Sequence, residues 1–163
     1  MGDIIIGQLK VCVIEGSNLV IRDFRSSDPY VVVKLGNQTK KTKIIDSCLD
    51  PVWNEEFTFT LIEPLEELRL DVFDYDTFKY DDKMGYSTVN LQPIIAASVL
   101  TRALRLSTEE IELRKVIPKP DNCLMRDSFV SFVNGEIRQD VLLRLRDVES
   151  GELKLTLKLI KPN

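Results

Sequence analysis

The chain has 163 residues, 44% of them apolar and 29% charged, which suits one globular domain with a real core. Its apolar runs, Ile4–Ile6 and Val31–Val33 among them, are far too short to cross a bilayer. There is no histidine, which removes His-based acid–base and nucleophilic chemistry and most zinc sites, and a net charge of −4 argues against nucleic acid as a partner.

Met1–Gly7 lacks a basic segment leading into a long apolar stretch, so no secretory signal is expected, and Ile6 stands where a myristoylation signal carries Ser or Thr. Cys12, Cys48 and Cys123 include no C-x-x-C pair and are read as small buried apolar residues in a reducing compartment.

Strand signals fill the first ninety residues. Leu9, Val11 and Val13 alternate with Lys10 and Cys12; Val31–Leu35 is a β-branched run; Thr39–Ile45 alternates after the Gly36-Asn37 turn signal. Trp53, Phe57, Phe59 and Leu61 mark a fourth strand, Leu68, Leu70, Val72 and the flanking Phe73 a fifth, and Gly85–Leu91 a sixth. Pro93–Leu104 reads as a helix, and Thr108–Leu113 as a second with Ser107 or Thr108 as its cap. Asn134-Gly135 predicts a hairpin between Phe129–Val133 and the run from Ile137. Glu149-Ser150-Gly151 turns Val141, Leu143 and Leu145 into Leu153, Leu155, Leu157 and Leu159. Many short strands at this spacing predict an antiparallel β-sandwich.

Two loops concentrate acid: "IRDFRSSDPY" holds Asp23 and Asp28, and "FDYDTFKYDDKMG" holds Asp74, Asp76, Asp81 and Asp82. Asp74 and Asp76 are two apart at a strand end, so both side chains face one way with the Tyr75 carbonyl between them. Calcium takes six to eight oxygen ligands, mostly carboxylates and carbonyls on flexible loops. Two unit charges about 4 Å apart interact by roughly 4 kcal/mol at an effective dielectric near 20, so converging loops call for a cation. The same residues also suit a solvated acidic rim, and composition alone leaves both readings open.

"SSDPYVVVKLG", "DPVWNEEFTF" and "LRLDVFDYDTFKYDDKMG", within residues 7–92, together resemble the C2 domain family. The resemblance implies an eight-stranded sandwich whose loops at one end hold calcium and contact phospholipid. Carried over by position, the ligands are Asp23, Asp28, Asp74, Asp76 and Asp82, with the backbone carbonyls of Arg22 and Tyr75. Asp82 is preferred to Asp81 because it lies six after Asp76 and three before Gly85, as in the family pattern. The family often places its first aspartate six before D-P-Y, where this chain has Arg22.

The loop tips expose Phe24 and Phe78 beside Arg25, Lys79 and Tyr80, suited to dipping into the headgroup–acyl boundary while the cations meet phosphate. Lys34, Lys40, Lys41 and Lys43 resemble the polybasic phosphoinositide patch of C2 domains, each worth roughly 1 kcal/mol near an anionic surface.

A simple C2 domain leaves residues over here, in an insertion of about 100–138 before the last two strands. "DNCLMRDSFVSFVNGEIRQDVLLRLRDVESGEL" resembles the plant C2-domain abscisic-acid-related family of small single-domain proteins, some described as GTPase activators. The whole chain, 1–163, is therefore expected to be one C2 domain without an active site of its own. It is expected at the cytoplasmic face of the plasma membrane, in the cytoplasm and in the nucleus. The expected function is calcium-dependent recruitment of partners, abscisic acid receptors or a small G-protein, to anionic phospholipid. The alternatives are a GTPase regulator or a calcium-independent scaffold.

Overall fold

Period-two alternation becomes inward-facing rows: Leu9, Val11 and Val13, Leu68 and Leu70, and Leu153, Leu155 and Leu157 are all fully buried. The computed structural model describes residues 4–22, 26–65, 67–100 and 110–160. In chain order these form β1 (Ile4–Ser17), β2 (Pro29–Leu35), β3 (Gln38–Lys41), β4 (Val52–Glu63), β5 (Leu68–Asp74), β6 (Asp82–Val89), α1 (Gln92–Leu100), β7 (Ile111–Val116), β8 (Ser128–Val133), β9 (Glu136–Arg144) and β10 (Glu152–Ile160). One sheet runs β3-β2-β5-β6 and the other β4-β1-β10-β9-β8-β7, with every neighbouring pair antiparallel. The strands β4, β1, β10 and β9 and the strands β3, β2, β5 and β6 make the eight-stranded sandwich that the resemblance implies. The insertion adds β7 and β8 to one sheet.

Asn134 (φ 48°) and Gly135 (φ 83°) turn β8 into β9, the left-handed pair that a two-residue hairpin demands. Gly85 has φ +99°, and a Cβ there would lie 2.5 Å from Val148 Cγ1 and 2.9 Å from the Arg146 carbonyl. Only glycine lets the start of β6 lie this close to the β9–β10 connection. Across it, Tyr86 and Arg146 exchange backbone hydrogen bonds.

Two local expectations change, at β7 and at the end of β3. β7 occupies Ile111–Val116, so Ile111–Leu113 of the expected helix at Thr108–Leu113 is strand; residues 101–109 lie outside the described residues. Pairing of Ile111–Val116 with Ser128–Phe132 overrides the helix propensity of a Glu-, Leu- and Arg-rich segment. The first helix matches Pro93–Leu104 as far as Leu100, with the Gln92 N–H donating to Asn90 Oδ1. The third strand ends at Lys41, because Val31 N–H donates to the Thr42 hydroxyl at 2.9 Å, where a ladder would present a carbonyl.

Cys123 is buried, whereas Cys12 and Cys48 are half-buried. The Cys123 pocket is polar: Sγ accepts Nε–H of Arg146 at 3.1 Å. Burial pushes this thiol up, but hydrogen bonds from Thr88, Ser87 and Arg146 outweigh it, and the balance lies below the usual thiol value.

Candidate metal centre and docking tip

β5 delivers the centre. Its inward row is Leu68, Leu70, Val72 and then Asp74, so a carboxylate continues a core face and is only 1% exposed. A charge so placed must be satisfied by its surroundings. Register puts Pro29 opposite Asp74 on one side and Asp82 opposite it on the other. The loop before β2 and the two ends of the β5–β6 loop therefore meet around one residue.

The first loop is pinned at both ends. Buried Ser27 accepts the Arg22 N–H at 2.9 Å and donates to the Val20 carbonyl at 2.9 Å. The Arg22 side chain reaches the Lys83 carbonyl at 3.1 Å and Glu149 at 3.2 Å. Asp28 N–H donates to Asp74 Oδ1 at 2.8 Å, and the Asp28 carbonyl accepts the Tyr75 N–H at 3.0 Å. Asp28 Oδ1 accepts the Ser47 N–H at 2.7 Å, which ties the β3–β4 loop to the same place. Asp23, Phe24 and Arg25 lie outside the described residues.

The β5–β6 loop folds over its own acids. Asp76 Oδ1 accepts the N–H groups of Phe78 (2.8 Å) and Lys79 (3.2 Å), while Asp76 N–H donates to Asp81 Oδ1 at 2.9 Å. The Tyr30 hydroxyl donates to Asp81 Oδ2. Asp81 and Asp76 thus both accept hydrogen bonds within the loop's own frame. Burial, then the Asp81 hydrogen bond and charge, hold the Tyr30 phenol well above its ordinary value. Lys79 Nζ stands 3.9 Å from Asp76 Oδ2 and 3.7 Å from Asp82 Oδ2.

The structure thus brings Asp28 to Asp74, and Asp76 to Asp82 through Lys79. Among the described residues, no three of these carboxylates form a group close enough to hold a metal ion. Carboxylates on loops are the donor type that hard divalent cations take; here the Lys79 ammonium supplies the positive charge beside Asp76 and Asp82.

At the tip, Phe78 is 96% and Tyr80 94% exposed, so neither is used to pack the loop. Lys34, Lys40, Lys41 and Lys43 are all exposed. Register separates them: Lys34 faces Thr39 and Lys41 faces Val32, on the outer face, whereas Lys40 lies opposite the inward-facing Val33. Sequence reasoning missed Arg69, which faces Lys34 from β5 and extends the outer basic strip. Arg69 stacks 4.2 Å over Tyr86 and pairs with Asp71 at 3.0 Å. Its alternation with Leu68 and Leu70 was the available signal.

The C2 domain family model matches residues 7–106. An Arabidopsis thaliana protein, C2-DOMAIN ABA-RELATED 11, is 56% identical over 157 residues, covering 96% of this chain and 95% of its own length. GTPase activating protein 1 of Oryza sativa subsp. indica is 41% identical over 154 residues, covering 94% of this chain and 92% of its own. Among solved structures, the tandem C2 domains of Extended-Synaptotagmin 2 superpose with a TM-score of 0.65 at 24% identity, over 99% of this chain and 43% of theirs. A C2 domain of plant Extended Synaptotagmin 1 superposes with a TM-score of 0.59 at 22% identity, over 98% of this chain and 99% of its own. Identities this low speak for the fold alone.

Proposed function

The chain belongs to the C2 domain family, as a relative of the plant C2-domain ABA-related proteins, and on that premise we propose that it docks on anionic phospholipid when calcium binds its loops. The observation that carries this reading is Asp74. A buried carboxylate at the end of a core row, with Asp28 hydrogen-bonded to it and Asp82 opposite in register, is a poor choice for stability alone. As part of a cation site it has a purpose.

Asp28, Asp74, Asp76 and Asp82 would hold the ion, with Asp23 and the Arg22 and Tyr75 carbonyls completing the set by the family pattern. Bound calcium would supply positive charge at this end, two ions taking the formal net charge from −4 to zero. The repulsion between acidic tips and an anionic leaflet then disappears. Phe78 and Tyr80, with Phe24, enter the headgroup boundary, and Lys79 and Arg25 meet phosphate. Lys34, Lys41 and Lys43 add attraction that salt screens, with Lys40 contributing from the edge.

The ABA-related name carried by a relative 56% identical supports recruitment of abscisic acid receptors as the downstream role, with the single domain 1–163 acting as an adaptor at the cytoplasmic face of the plasma membrane. A second reading, regulation of a small G-protein through a contact surface, is favoured by the name of the rice relative.

The chain's one tryptophan, Trp53, gives a direct test. Energy transfer from Trp53 to dansyl-labelled vesicles of phosphatidylserine and phosphatidylcholine should rise with calcium and reverse with EGTA. Transfer unaffected by either points to the calcium-independent scaffold.

A further inference from the structure

Lys79 sits in the β5–β6 loop, three residues after Asp76 and three before Asp82, and its ammonium lies 3.9 Å and 3.7 Å from their Oδ2 atoms. Its backbone N–H also donates to Asp76 Oδ1 at 3.2 Å, so the loop's own turn returns the side chain toward the acids. Among the described residues, no other cationic side chain is paired with Asp76 or Asp82. The contact is loose: the side chain is 61% exposed and both distances are near the outer limit of an ion pair. A long flexible stem and a hydrated head make such a pair weak and easily exchanged. Its neighbours Phe78 and Tyr80 are the most exposed large apolar side chains among the described residues.

We propose that Lys79 is a built-in, displaceable counter-ion. It rests on the Asp76 and Asp82 carboxylates until a divalent cation takes its place, and it is then released beside Phe78 and Tyr80 to meet lipid phosphate. This deepens, and rests on, the calcium reading above. One side chain then has opposite effects on two equilibria. In solution it competes with the ion and raises the concentration required. At an anionic surface the displaced ammonium gains a new partner, so lipid and ion each favour binding of the other, as reciprocal linkage requires. A neutral residue at this position would bind calcium more tightly and membrane less tightly. The two effects have different signs, which a purely structural role for Lys79 does not produce.

Calorimetric titration of calcium into lipid-free protein, followed by binding to phosphatidylserine vesicles at saturating calcium, tests this with wild type, Lys79→Gln and Lys79→Arg. Removing one positive charge about 4 Å from a doubly charged ion in a water-like medium should tighten calcium binding up to about thirtyfold in Lys79→Gln, less as salt screens the pair. The same variant should bind vesicles several-fold more weakly, and Lys79→Arg should match wild type in both. Unchanged or weaker calcium binding by Lys79→Gln in solution, or unaltered vesicle binding, overturns the proposal while leaving the calcium site standing. Absence of calcium binding by wild type overturns both.

Discussion

The Asp28 N–H donates to Asp74 Oδ1 at 2.8 Å across 46 residues of sequence, joining the loop before β2 to the end of β5. Asp74 is therefore both a candidate ligand and an anchor, and two substitutions separate the roles. Asp74→Asn keeps an acceptor of the same shape and should unfold within about 1 kcal/mol of wild type while losing calcium-dependent vesicle binding. Asp74→Ala also strands the Asp28 N–H and should cost about 1–3 kcal/mol in urea unfolding. Equal calcium responses in Asp74→Asn and wild type would remove Asp74 from the ligand set.

Phe78 and Tyr80 contribute nothing to packing at 96% and 94% exposure. Their replacement by serine should leave the thermal midpoint unchanged. Fully burying such a side chain is worth about 1.5–3 kcal/mol, so partial insertion predicts roughly tenfold weaker vesicle binding at saturating calcium for Phe78→Ser. Undiminished binding by the Phe78→Ser/Tyr80→Ser double variant would rule out insertion by this tip.

The outer basic strip is testable by register. Lys34 and Lys41 share a face while Lys40 does not. Lys34→Ala/Lys41→Ala should lose about 2 kcal/mol of binding to phosphoinositide vesicles in low salt, with the loss fading in high salt. Lys40→Ala should lose less than either member of the pair. Equal losses at Lys34, Lys40 and Lys41 would indicate diffuse attraction rather than an oriented face.

Tyr30 predicts an alkaline signature. Burial and the Asp81 contact raise its folded value above the ordinary 10.0. Above that pH the unfolded phenol ionises while the folded one keeps its proton, so stability falls as pH rises from about 10. Tyr30→Phe removes this group and should flatten the fall in unfolding free energy between about pH 9.5 and about pH 11. An identical slope in both proteins would mean that Tyr30 ionises as freely folded as unfolded.

The row Leu68, Leu70, Val72, Asp74 carries its own message: a period-two apolar series ending in a carboxylate marks where core becomes site. That alternation made β1, β5 and β10, and with them the positions of Asp74 and Asp76, legible from residues alone. Asn134-Gly135 and Gly36-Asn37 were equally legible, because left-handed turns restrict which residues fit. β7 was not, since Glu, Leu and Arg favour a helix in isolation and only the partner strand β8 makes them extended. The Lys79 bridge, the Tyr30–Asp81 contact and the placing of Lys41, rather than Lys40, on the face of Lys34 depend on loop path and pairing register, which no local pattern encodes.

Co-sedimentation of the full chain with phosphatidylserine vesicles, in calcium and in EGTA, beside Asp82→Asn and the fold-preserving Asp74→Asn, bears most directly on the idea that these separate loops serve one ion. Wild type should pellet in calcium and remain in the supernatant in EGTA, and both variants should remain in the supernatant throughout. Wild-type protein that pellets equally in calcium and EGTA, with the variants following it, would contradict the account.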